Sequence, residues 1–193
     1  MKKDIRTIGI DDAAFQRESS KNTFVFGVIT RGYSLVEGIL RTTVIVDGLD
    51  ATEKISKMII ESKFRDQLKA IILGSSTIAA FNIIDLKKLY ENTSIPVITV
   101  LSQLPNEKEV KGALSHLADW EERYEALKLN PPLQKMEFKN QMSRICKMYV
   151  QHIGFNDEKE VKELLQFTTY SSSIPEGLRL ADMIGQSFKN YVI

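Results

Sequence analysis

Short apolar runs separated by polar turns dominate the first half of the chain. Residues 7–15 read as a first strand and 22–30 as a second, the latter rich in aromatic and β-branched side chains. Arg31-Gly32-Tyr33-Ser34 reads as the turn that follows, and 35–46 as a long third strand bent near Gly38. Three consecutive strands with short links predict an antiparallel meander. The period then changes. Ile55, Met58, Ile59, Phe64 and Leu68 are close to helical spacing, which predicts a helix over 51–68, with Asp50 or Thr52 as its cap. Lys69 to Gly74 is an almost wholly apolar strand of the kind found at the centre of a parallel sheet. A second helix over 81–92 and a fifth strand over 95–101 follow, with Pro96 at the start of that strand, where proline is tolerated.

The second half reads as helical. The pattern predicts one helix or two over 108–127, a break at Asn130-Pro131-Pro132, and further helices over 135–153, 157–167 and 175–191. Asn156 or Asp157 is the expected cap of the second last of these, and Pro175 stands near the first turn of the last. No repeat, low-complexity segment or linker divides the chain, so a single domain over 1–193 is expected. Strands, then helix, strand, helix, strand and further helices is the ribonuclease H-like order. The expected fold class is therefore α/β: a mixed five-stranded sheet, three antiparallel strands followed by parallel additions, with flanking helices and a helical C-terminal half.

Composition narrows the field only slightly. The chain has 193 residues, 43% of them hydrophobic, enough for a substantial core. Lys and Arg number 26 against 25 Asp and Glu, a formal charge of +1, so any polyanion must be held by a local patch rather than a global field. The one cysteine, Cys146, excludes a disulfide framework within the chain and is expected to be a core thiol in an amphipathic helix. The N-terminal residues show no apolar signal segment, and no apolar stretch is long enough to span a bilayer. A cytoplasmic protein without membrane contact is the expectation.

Candidate chemistry sits at strand ends. Ile8-Gly9-Ile10 runs into Asp11-Asp12, and Val44-Ile45-Val46 runs into Asp47-Gly48-Leu49-Asp50. A buried strand that ends in adjacent carboxylates needs something to offset several kcal/mol of charge burial, and a divalent cation is the simplest candidate. Alternation sends neighbouring side chains to opposite faces, so Asp11 is the favoured ligand and Asp12 an orienting or second ligand. Asp47 and Asp50 are also explained singly as a turn residue and a helix cap. Arg31 and Tyr33 could meet a polyanion near these carboxylates, and the backbone of Ser75-Ser76 could hold an anion before a helix. The basic residues on the first helix fit a solvated face, and His116 and His152 lack metal-ligand spacing.

Four stretches carry a family resemblance: Gly9-Ile10-Asp11-Asp12; Val46-Asp47-Gly48-Leu49-Asp50-Ala51-Thr52; Phe81-Asn82-Ile83-Ile84-Asp85 with Pro96-Val97-Ile98; and Ile174-Pro175-Glu176-Gly177-Leu178-Arg179-Leu180-Ala181. In this order they resemble the archaeal endonuclease V-like family, some members of which are called endonuclease dU. The resemblance implies a ribonuclease H-like fold and a Mg2+- or Mn2+-dependent endonuclease that cuts near a deaminated base, uracil or inosine, with DNA favoured over RNA as partner. It also implies catalytic and metal-binding roles for Asp11 and for Asp47 or Asp50, with Asp12 as a further metal ligand. The third acid of the family pattern is absent: Leu73-Gly74-Ser75 stands where relatives show Leu-Asp-Gly, and Asp85 is a poor substitute. Leu101-Ser102-Gln103 lacks the arginines expected there, and Ala181-Asp182 stands where relatives often carry Ala-His. The rival expectation is a catalytically degenerate relative that binds nucleic acid or a protein partner without cleavage. A weaker one is an assembly role for the helical half.

Overall fold

The computed structural model describes residues 5–17 and 19–188. Strands β1 (Arg6–Asp12), β2 (Asn22–Arg31) and β3 (Leu35–Ile45) form the expected meander. The bend near Gly38 is a bulge opposite Ile29 and Thr30. It brings Glu37 onto the guanidinium groups of Arg6 and Arg31. Helix α1 (Ala51–Ile60) is shorter than predicted, and residues 65–67 form a separate single turn. Strand β4 (Leu68–Leu73) then pairs parallel to β1.

A two-residue hairpin, β5 (Thr77–Ile78) and β6 (Asn82–Ile83), comes next, so helix α2 (Leu86–Thr93) begins later than its spacing suggested. Strand β7 (Val97–Leu101) joins β4 in parallel. The stretch expected as one helix or two is two, α3 (Glu107–Leu114) and α4 (Trp120–Leu129).

The main correction falls on 135–153. This segment is a hairpin of β8 (Gln134–Lys139) and β9 (Ile145–Ile153), not a helix, and β9 pairs antiparallel with β7. Met136, Phe138, Cys146, Met148 and Val150 are buried while Lys135, Glu137, Lys139 and Lys147 are exposed, a period of two. Its Lys, Glu, Gln and Met content suits a helix, but a vacant sheet edge beside β7 overrides that propensity. Asn140 closes the turn by accepting from the backbone N–H of Met142 and Arg144. Cys146 is a buried thiol as expected, but on a strand.

Helices α5 (Glu158–Thr168), capped by Asp157, and α6 (Glu176–Gln186) complete the described chain. The part of the predicted last helix at 189–191 lies outside the described residues. The sheet therefore has seven strands rather than five, in the order β3-β2-β1-β4-β7-β9-β8. One core, around Ile8, Ile10, Ile55 and Ile71, lies under α1 and α2; the other, around Ile72, Ile98, Val150 and Leu165, lies under α5. No helix among the described residues is long and apolar enough to cross a membrane.

Helix α6 fixes the geometry that matters most. A Cβ on Gly9 would stand 2.0 Å from the Leu178 backbone nitrogen, and one on Gly185 would stand 2.1 Å from the Asp12 carbonyl oxygen. The helix thus rests backbone to backbone on β1, and only glycine permits that approach.

Candidate functional site

β1 leaves the core at Ile10, which is fully buried, and ends on two half-buried aspartates. Asp11 lines a cavity of about 340 Å³ together with Gly74, Ser102, Lys147, Arg179 and Asp182. Its Oδ1 accepts from the Asp12 backbone N–H at 3.0 Å. Asp12 turns the other way, and its Oδ2 accepts from the Ala79 N–H at 2.6 Å. Ala79 and Ala80 hold left-handed φ angles of 48° and 66°, a conformation that costs an alanine roughly 1–2 kcal/mol. The Asp12 bond, with a bond from the Asp47 N–H to the Ala79 carbonyl at 3.0 Å, holds that loop in place.

Burial raises the Asp11 carboxyl to about 7, with further upward pushes from the negative charge of Asp12 and then Asp182. Asp12 is also raised, first by burial, against the opposing bond from Ala79.

Asp182 is the residue the sequence reading missed. Its position in the last helix is visible in the sequence, but there it reads only as the loss of a histidine. Only the close approach of α6 to β1 shows that it faces the same cavity as Asp11.

The other expected acids lie elsewhere. Asp47 pairs with Arg17 (Oδ2 to Nε, 2.9 Å) and accepts from the Phe81 N–H at 3.0 Å. Asp50 does not cap α1 through its side chain; it accepts from the Ile45 N–H at 3.2 Å and from Asn82 Nδ2 at 2.7 Å. Buried Arg123 reinforces this frame by donating to the carbonyls of Asp47, Gly48 and Phe81. The structure brings Asp11 and Asp12 together with Asp182, and does not bring Asp47 or Asp50 into that cluster.

No three Asp, Glu, His or Cys side chains among the described residues form a ready-made metal cage. Asp11 and Asp182 nevertheless bring carboxylate oxygens to the cavity, beside the polar groups of Ser102, Gln103 and Ser173. Mg2+ is commonly held by one or two carboxylates with water and substrate phosphate completing the shell. By donor chemistry, Asp11 and Asp12 with Asp182 nearby fit a hard divalent ion. Gly74 contributes no ligand, although a Cβ there would meet nothing closer than Leu178 Cδ1 at 3.9 Å.

Cations also reach the cavity. Lys147 projects from β9, where the mistaken helix had hidden it, and Arg179 stands on α6, bound to Glu176 at 2.7 Å. Ser75 and Ser76 do not line this cavity. They line a second one of about 510 Å³, walled by Phe81, Val110 and Tyr124, which shares Leu101 with the first. Arg31 is engaged with Glu37, and Tyr33 stacks on Tyr170.

The model of the endonuclease dU family matches residues 3–189. The chain belongs to the endonuclease dU family. A UPF0215 protein of Methanosarcina barkeri is 36% identical over 184 residues, which span 95% of this chain and 90% of that one. A solved structure of an Archaeoglobus fulgidus protein of unknown function is 30% identical and has a TM-score of 0.82, covering 96% of this endonuclease dU family chain and 99% of the other. Endonuclease V of Ciona intestinalis, solved with a 24mer DNA containing an inosine, has a TM-score of 0.59 at 12% identity and covers 94% and 84% of the two chains. That likeness shows the fold: this member of the endonuclease dU family is ribonuclease H-like, as its element order suggested.

Proposed function

We propose that this chain is a Mg2+- or Mn2+-dependent endonuclease acting on nucleic acid, DNA in preference to RNA, that contains a deaminated base. The observation that carries the reading is that Asp11 at the end of β1 and Asp182 of α6 line one cavity, with the Asp12 carboxyl beside Asp11. Family membership and an endonuclease V fold support it.

Asp11 and Asp12 would hold the divalent ion, which when bound supplies charge neutralisation at the scissile phosphate and an activated water. Lys147 and Arg179 contact the flanking phosphates. Asp12 also keeps the 75–81 loop in place through Ala79. The second cavity receives the displaced base, with the Phe81 and Tyr124 rings as apolar walls and the Ser75 and Ser76 hydroxyls available to its polar edge.

The deciding experiment is a Mn2+-supplemented cleavage assay on strands that carry a single uracil or inosine. Wild-type protein should cut them, and Asp11→Asn and Asp182→Asn should not. Equal cleavage by wild type and Asp11→Asn would remove the proposal. One observation favours a second reading: Gly74 leaves the end of β4 without an acid. A catalytically degenerate relative would bind labelled strands in EDTA and cut none of them.

A further inference from the structure

Tyr33 lies in the β2–β3 turn and Tyr170 follows α5, yet their rings lie parallel, with centroids 5.0 Å apart and planes 6° from each other. Both stay open to solvent, Tyr33 at 36% and Tyr170 at 43%. Each sits on anchored backbone. The Gly32 N–H donates to the Ile5 carbonyl at 2.9 Å, and Arg31 is clamped to Glu37. On the other side the Gln141 N–H donates to the Thr169 carbonyl at 3.1 Å, and Arg144 reaches the Ser171 carbonyl at 3.4 Å. Two tyrosines held face to face at a surface, on separate anchored loops, present a flat aromatic step.

The Tyr170 side of that step leads along the chain to the carboxylate cavity, while the Tyr33 turn stands beside Ile5 and Arg6, at the other end of β1 from Asp11. The loop that begins at Tyr170 runs through Ser173 and Ile174, which line the cavity beside Asp11 and Asp182. From Arg6, opposite Arg31, to Asp11 the strand runs about 17 Å, or roughly five nucleotide steps of 3.4 Å. Arg144, Lys147 and Arg179 flank the same loop. Glu137 faces Lys147 and Glu176 binds Arg179, so the local surplus of positive charge is small. What remains distinctive is the pair of ring faces, and unpaired bases stack on such faces whatever their sequence.

We infer that Tyr33 and Tyr170 form a stacking platform for a single-stranded segment of nucleic acid that leads into the carboxylate cavity. The inference rests on the proposed nucleic-acid role and adds a strand state and two contact residues to it. A duplex hides its ring faces and engages this platform poorly.

Fluorescence anisotropy with labelled oligothymidylate in EDTA tests it, since no cutting occurs. Wild type should bind the single strand more tightly than a duplex of equal length. Tyr33→Ala and Tyr170→Ala should each weaken binding about tenfold, while Tyr33→Phe and Tyr170→Phe stay within about twofold, because the ring face and not the hydroxyl makes the contact. The slope of affinity against salt should stay the same in the alanine variants, because stacking releases no counterions. Unchanged thermal unfolding of the variants guards against a folding artefact. Alanine variants that bind like wild type, phenylalanine variants that fail like alanine, or a wild type that ignores single strands would each overturn the platform. Binding through the tyrosines with no cleavage in Mn2+ would uphold it and remove the nuclease reading. Cleavage indifferent to both alanine variants at low substrate would do the reverse.

Discussion

Asp11 and Gly74 stand side by side at the ends of β1 and β4, on the wall of one cavity, with opposite shortcomings. Asp11 carries a charge with too little to balance it; Gly74 has room for one and supplies none. The Asp11 carboxyl moves from an ordinary 3.8 to about 7 on folding, mainly through burial. Folding therefore takes up a proton between those values, and stability that is complete below pH about 4 declines as the pH rises through about 7. The full penalty is at most about 4 kcal/mol, and the water that still reaches a half-buried group reduces it. In metal-free buffer at pH 8, Asp11→Asn should raise Tm by about 5 °C, with no gain at pH 3.5; scanning calorimetry at both pH values checks this. Added Mn2+ should stabilise wild type and leave Asp11→Asn unchanged. At Gly74 the expected outcome is a gain: Gly74→Asp fits the space and should tighten Mn2+ binding about tenfold or more, read by isothermal titration.

At the scale of elements, the packing of α6 on β1 decides whether there is a site at all. Gly9 and Gly185 let the helix settle where Asp182 shares a cavity with Asp11. Gly9→Ala places a methyl group 2.0 Å from a backbone nitrogen that cannot rotate away. The helix must lift, at a cost of about 3 kcal/mol or more, and a lower urea midpoint should accompany loss of Mn2+ affinity. The β8–β9 hairpin matters for a different reason. As a helix, 135–153 would scatter its lysines around a cylinder; as a strand beside β7, it delivers Lys147 to the cavity.

Across the whole molecule the charge is nearly balanced, +1 over 193 residues. Binding to nucleic acid should therefore depend on a few local contacts. With Arg144, Lys147 and Arg179 as the phosphate partners, log affinity should fall against log salt with a slope of about −2 to −3. Lys147→Gln should reduce the magnitude of that slope by about 1. A slope near −8 would mean an extensive basic face and would rule out this small set of contacts.

The meander, the parallel β4 and β7, the helices α1, α2 and α5 and the acidic end of β1 were legible in the residue pattern, because each rests on local periodicity and caps. Asp11 and Asp12 stood out for the same reason: charge at the end of an apolar run is a local anomaly. The tertiary structure alone turned 135–153 into strands, because an unfilled sheet edge outweighs helix propensity. It alone drew Asp182 to Asp11 through Gly9 and Gly185, 176 residues apart, since which distant backbones can touch is a property of packed surfaces and not of neighbours along the chain. It also assigned Asp47 and Asp50 to holding loops, because their partners Arg17, Phe81 and Asn82 meet them only once the chain is folded.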